Sequence, residues 1–298
     1  MIVCELPPAL FGVAAPLFAP AWFDRAYIDA VLEGRDAGRV FVDDPDAPTA
    51  ALLCRTFEYY VAGSVQSDES HALRRFIAEA PAEAEVFAAL YGYCPLGDPW
   101  REVLLADHHG RLAAIGRHGF TFDAAAVDTA PGWRRTFPDN VVVARIDRPL
   151  ARRIDQELGE NLGLFWGGYD RFLANAFGFC ALVDGAVASV AYAGAVSARE
   201  ANIVVDTGKG FRRRGLAALA CTTFIRHCLE RDLLPTWDTD DDNEPSLLLA
   251  RTLGFRETAP FVQLSPPRGT ALPLSTGLWT AHHPASAAAP IVWRRGDT

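Results

Sequence analysis

Ile203-Val204-Val205-Asp206-Thr207-Gly208-Lys209-Gly210-Phe211-Arg212-Arg213-Arg214-Gly215-Leu216-Ala217 is the stretch on which the fold turns. Ala201 to Thr207 reads as a buried strand. It enters a turn rich in glycine and arginine, which opens directly into a long amphipathic helix, Arg214 to Arg231. A helix N-terminus presents unpaired N–H groups and the positive end of the dipole. Gly215 and Ala217 are small enough for a ligand's phosphates to approach the backbone closely. The pattern predicts an anion cradle suited to a pyrophosphate. Three arginines at a helix start oppose its dipole unless an anion is present. The stretch contains neither a GxxxxGK[ST] loop nor a GxGxxG fingerprint. Arg35-x-x-Gly38 shares the arginine–glycine spacing but precedes a strand, so it is set aside.

Outward from this stretch, the second half of the chain is well punctuated. Phe177 to Val183 and Ala186 to Ala193 form a hairpin about Asp184-Gly185. Leu150 to Leu162 reads as a helix and Leu234 to Trp237 as a short strand. Asn243 to Leu253 is a helix with Pro245 in its first turn, and Gly254 ends it. Phe255 to Leu264 is a last strand. From Ser265 the composition shifts to Pro, Ser, Thr and Ala, with Pro290 to Trp293 as an added strand. Before about Leu150 the chain reads as mixed α and β. Strands are expected at Arg39 to Val42, Ala50 to Arg55, Phe57 to Val61, Glu102 to Leu105 and Leu112 to Ile115. Helices are expected from Ser70, as N-cap, and over Ala82 to Tyr91. The expected division is 1–149, 150–264 and a C-terminal extension, 265–298.

Composition narrows the function classes. The chain has 298 residues, 50% of them hydrophobic, and a formal charge of −9. That balance argues against a general nucleic-acid binder, which needs clustered surplus Lys and Arg. No apolar run approaches the ~20 residues of a membrane helix, and the first residues lack a positive signal-peptide start. Six scattered cysteines form no CxxC pair, so free thiols in a reducing cytoplasm are expected, with neither a disulfide scaffold nor a metal site. The pairs His108-His109 and His282-His283 read as surface residues, and His227 as a cation near a helix end. Trp22, Trp100, Trp133 and Trp166 read as core or interface residues.

Arg212-x-x-Gly215-x-Ala217, opening a helix after a strand, resembles the pyrophosphate loop of the GNAT acetyltransferase superfamily. Asn243-x-x-Ser246 running to Leu253-Gly254-Phe255 is similar to the family's following helix. Phe172 to Cys180, Cys228 to Arg231 and Pro235-x-Trp237-Asp238 resemble a bacterial subgroup that includes zwittermicin-resistance acetyltransferases. The resemblance covers roughly Leu150 to Leu264 and implies an α/β fold with a mixed, GNAT-like central sheet. The region before Leu150 is then a degenerate half of the same fold.

The resemblance also implies roles. Backbone groups of Val205 and Thr207 would meet the pantetheine of acetyl-CoA, the co-substrate. Amides from Arg212 through Arg213, Arg214, Gly215 and Leu216 to Ala217 would hold the pyrophosphate, and Asn243 and Ser246 would line the other wall. The implied activity is N-acetylation of a small-molecule amine. The rivals are an acyl-CoA-binding module without turnover and a protein or peptide N-acetyltransferase. Where many relatives carry an acidic Tyr, this chain has Ala250. Asp238, before Glu200, is the expected proton acceptor. The acid run Asp238 to Glu244 reads as a solvated loop that favours the next helix's N-terminus. The sequence leaves the oligomeric state open, a homodimer being one arrangement it allows.

Overall fold

The computed structural model describes residues 2–56, 58–65, 68–79, 91–95, 97–134, 136–265 and 292–294. The chain divides into two compact units, Met1–Arg117 with Pro260–Thr298, and His118–Ala259. The boundary expected near Leu150 falls inside the second unit, just after its first complete strand.

The first unit runs β1 (Ile2–Leu6), α1 (Phe11–Phe18), α2 (Arg25–Leu32), β2 (Arg39–Val42), β3 (Ala50–Cys54), β4 (Glu58–Gly63), α3 (Asp68–Glu79), β5 (Tyr91–Pro95), α4 (Pro99–Asp107) and the start of β6 (Ala113–Phe122), which from His118 belongs to the second unit. Its strand order is β14-β1-β2-β3-β4-β5-β13, with β13 (Phe261–Ser265) and β14 (Val292–Arg294) supplied by the end of the chain. Residues Ala113 to Arg117 of β6 pair with the free edge of β13. All pairings are antiparallel except β4–β5.

The second unit runs β7 (Val141–Arg145), α5 (Arg148–Leu158), α6 (Leu162–Phe165), α7 (Tyr169–Asn175), β8 (Gly178–Val183), β9 (Ala186–Val196), β10 (Glu200–Thr207), α8 (Leu216–Leu229), β11 (Leu234–Asp240), α9 (Glu244–Leu253) and β12 (Phe255–Glu257). Strands β7 to β11 lie in chain order, antiparallel except for β10–β11. Each unit therefore repeats one plan: a strand, helices, three antiparallel strands, a helix, a parallel strand and a helix. No sequence identity announces the repeat.

Local chemistry explains most elements. Asp184 (φ 50°) and Gly185 (φ 81°) give the hairpin its two left-handed residues. Asp147 caps α5, accepting from the Leu150 amide at 2.8 Å, and Gly159 ends it in the left-handed region. Burial on α8 follows the helical period, with Ala218, Cys221, Phe224, Ile225 and Cys228 in the core. Each large side chain so buried contributes about 1.5–3 kcal/mol.

Several expectations need correction. Glu102 to Leu105 lies within α4, because Asp98 accepts from the Trp100 amide at 2.9 Å and Pro99 supplies the first helical φ. Ser70 is inside α3, which begins at Asp68. The helix expected to reach Leu162 is cut at Gly159. The strand expected over Phe255 to Leu264 is two strands, parted by Thr258-Ala259-Pro260. His108 is fully buried, its Nδ1–H donating to the Leu104 carbonyl at 2.8 Å. His227 is no surface cation: it is buried against Phe177 and Phe179, and burial lowers its pKa to about 4. The helix read over Ala82 to Tyr91 and the pair His282-His283 lie outside the described residues, except that Tyr91 opens β5.

Candidate active site

The parallel pair β10–β11 is joined over three positions only: Glu200 faces Leu234, Ala201 faces Pro235 and Asn202 faces Thr236. Both strands continue, β10 to Thr207 and β11 to Asp240, without further pairing to each other. On its other side, β10 has an irregularity between Asn202 and Ile203 and then stays paired with β9 through Thr207. Beyond Asn202 the two strands therefore part, leaving backbone donors and acceptors on β10 for an extended ligand to meet. Val205 and Thr207 both lie on this parted segment.

At its end, β10 passes through a short 3-10 turn, Lys209 to Phe211, into the arginines. Arg213 has φ 61° and Gly215 φ 81°. A left-handed arginine is uncommon and is held here by the turn around it. Gly215 is the N-cap residue of α8, and no side chain caps the helix. By contrast, Asn243 caps α9 and Asp147 caps α5. The first amides of α8, at Leu216 and Ala217, are thus left for a ligand.

The arginines surround this helix end. Arg212 Nε donates to the Thr207 carbonyl at 3.1 Å, closing the loop onto β10. The Arg214 guanidinium lies 5.6 Å from the centre of the Phe211 ring. All three arginines and Lys209 are exposed, and among the described residues no carboxylate pairs with any of them. A cluster of four cations at the positive end of a helix is self-repelling until an anion binds. This donor set fits a pyrophosphate.

The sequence-derived carboxylates are separated. Glu200 stands at the closed end of the β10–β11 ladder. Asp238 is beyond its last pair, and its Oδ1 accepts from Asn202 Nδ2 at 3.0 Å. Asn202 is buried, so this bond ties the strands together just where they part. Asn243 and Ser246 follow at the start of α9. Asn243 accepts from the Ser246 amide, and Ser246 Oγ accepts from the Trp237 indole at 3.1 Å. Ala250 is fully buried. Asn202, Tyr192 and Glu160 stand in no motif of the sequence, because only strand register and a loop bring them to this region.

A family model described as GNAT acetyltransferase matches residues 15–264. The chain belongs to the GNAT acetyltransferase family. A curated relative, the uncharacterized N-acetyltransferase YdfB of Bacillus subtilis (strain 168), is 24% identical over 233 residues, 77% of this chain and 86% of its own. A GCN5-related N-acetyltransferase-like protein from Streptococcus suis 89/1591 superposes with a TM-score of 0.66 at 23% identity, covering 87% of this chain and 99% of the other. A tandem GNAT protein from the clavulanic acid biosynthesis pathway superposes with a TM-score of 0.59 at 14% identity, over 89% and 98% of the two chains. These structural likenesses concern the fold. The mixed α/β, GNAT-like fold expected from the sequence is the one observed, and the repeated plan of the two units accords with a tandem GNAT architecture. Among the described residues, no helix is long and apolar enough to cross a membrane.

Proposed function

We propose that the chain transfers the acetyl group of acetyl-CoA to the amine of a small molecule, using the second unit. The observation that carries this reading is the parted β10–β11 pair ending in an uncapped, arginine-ringed helix start. In it, the amides from Arg212 to Ala217 and the free arginines hold the pyrophosphate, and β10 from Val205 to Thr207 meets the pantetheine. Asn243 and Ser246 line the opposite side. An N–H near Val205 stabilises the oxyanion as the amine attacks. Asp238 holds the point of parting through Asn202, and an Asp238→Asn pH profile of kcat/KM tests whether it also takes the proton. Acetyl transfer is tested by thiol release from acetyl-CoA against an amine panel. Ala250 favours a second reading, an acyl-CoA-binding module without turnover, because it offers no acid to the departing thiolate. Likeness to the zwittermicin-resistance subgroup supports a small amine as acceptor and rests on Phe172 to Cys180 and Cys228 to Asp238.

The first unit has similarly parted strands and, among the described residues, no arginine-ringed helix start. Its parallel pair β4–β5 ends at Tyr60 and Tyr93. The Trp100 indole, 1% exposed, donates to the Gly63 carbonyl at the end of β4 at 3.0 Å. A Cβ on Gly92 would collide with the Tyr59 ring, so that ring is packed directly onto β5. Helix α3 begins with Asp68-Glu69, where α8 begins with Leu216-Ala217. Calorimetric titration is therefore expected to give one CoA per chain. A stoichiometry of two would show that the first unit binds as well.

A further inference from the structure

Glu160 lies between the left-handed residues Gly159 (φ 80°) and Asn161 (φ 57°) that separate α5 from α6. Asp155 pins this segment, accepting from the amides of Leu162 at 2.6 Å and Gly163 at 3.0 Å and from the Tyr169 hydroxyl at 2.9 Å. Glu160 Oε2 accepts from the Tyr192 hydroxyl at 2.9 Å, while Oε1 has no hydrogen-bond partner among the described residues. Tyr192 is 3% exposed and is fixed on every side. Phe172 meets its ring edge-on, and on β8 the residue opposite is Gly178, where a Cβ would lie 2.6 Å from that of Tyr192. On β10 the residue opposite is Val204, two places beyond the last residue paired with β11. Tyr192 and Glu160 therefore stand over the parted segment of β10, one residue from Val205. The charged groups facing Glu160 are Asp206, on the same face of β10, and Asp155 of α5. Burial raises the Glu160 carboxyl above the ordinary carboxylate range; the Tyr192 hydrogen bond opposes this, and Asp206 and Asp155 add to it.

We propose that Glu160, positioned by Tyr192, is the base that takes a proton from the acceptor's ammonium group. The proposal rests on the acetyl-transfer reading above. A free amine with a pKa of about 10 is mostly charged at neutral pH and cannot attack until it loses that proton. Oε1 accepts one proton from the ammonium. The neutral nitrogen then forms a C–N bond to the thioester carbonyl as the C–S bond breaks. The nitrogen's second proton passes to the departing sulfur, and Glu160 returns its own proton to solvent. The carboxylate of Asp206, on the same face of β10, favours a cationic acceptor.

The test uses the full chain, acetyl-CoA and methylamine as probe acceptor, with kcat/KM followed against pH. Glu160→Gln is expected to lower kcat/KM by about 10²–10⁴-fold and to remove the acid limb, with CoA affinity by calorimetry unchanged. Tyr192→Phe removes a bond that favours the carboxylate, so the acid limb should move to higher pH. An acid limb that survives in Glu160→Gln, or stays in place in Tyr192→Phe, overturns the proposal. The carboxyl ¹³C titration of Glu160 in CoA-bound wild type is independent of the acceptor: a midpoint above the ordinary value of about 4.3 supports the proposal, and one at or below it overturns it. Wild type that binds no CoA instead fails the acetyl-transfer reading, and calorimetry separates the two.

Discussion

Gly215→Glu is expected to weaken CoA binding about a hundredfold or more while the second unit stays folded. A hundredfold corresponds to about 2.8 kcal/mol, the loss of one or two hydrogen bonds to a charged group at about 1.5–3 kcal/mol each. The residue sits at φ 81° immediately before the first free amides of α8. Any side chain there projects beside the helix end, and a carboxylate adds like-charge repulsion against a pyrophosphate. Holding a non-glycine residue in this region costs roughly 1–2 kcal/mol, well short of a domain's stability. Gly215→Asn separates the two effects, since Asn tolerates left-handed backbone and carries no charge. The expected order of CoA affinity is wild type, then Asn, then Glu. Equal affinities for wild type and Gly215→Glu, with unchanged circular dichroism, would move the pyrophosphate away from this loop.

Why that loop was legible in the sequence, and its surroundings were not, follows from range. The strand, the arginines and Gly215 are contiguous, and their chemistry is local: alternating burial, backbone φ and helix-end charge. The hairpin at Asp184-Gly185 and the helix stop at Gly254 are equally local and appear as expected. Expectations failed where a competing local signal was undervalued. Asp98-Pro99 is a cap and first-turn pair, and it makes a helix of a segment whose apolar run had suggested a strand. His108 and His227 look polar in isolation and are buried by packing that no short window contains. The parting of β10 from β11 depends on a ladder between residues more than thirty positions apart, and Glu160 meets Tyr192 across thirty-two. Such contacts exist only once the sheet has formed. The repeat of the two units is hidden for the same reason: the plan is shared, but the side chains have diverged to Trp100 in one unit and to open arginines in the other.

Arg55→Met is expected to be among the most destabilising single changes in the first unit. Arg55 is 2% exposed, following β3, with its guanidinium 4.7 Å from the centre of the Tyr27 ring. Its Nε and Nη2 donate to Asp36 Oδ2 at 2.9 and 2.7 Å, and Nη1 donates to Glu58 Oε2 at 3.0 Å. Burial works against the charge, but Asp36 and Glu58 outweigh it, so the guanidinium pKa is raised. Deleting the cation removes the one charge to which both nearly buried carboxylates are bonded, a loss of about 3–5 kcal/mol. Arg55→Lys should recover only part of it, because a single ammonium cannot reproduce three bonds in a planar fork. The pH dependence identifies the cause. In Arg55→Met the two nearly buried carboxylates lose the cation that favours their charged form, so their folded-state pKa values rise above the unfolded ones. The folded variant then binds more protons than its unfolded chain, and its stability increases as pH falls through those raised values. Urea unfolding should therefore show the gap between wild type and Arg55→Met narrowing toward acid pH. A gap that stays constant with pH would mean the loss comes from packing around Tyr27 and not from the lost ion pairs.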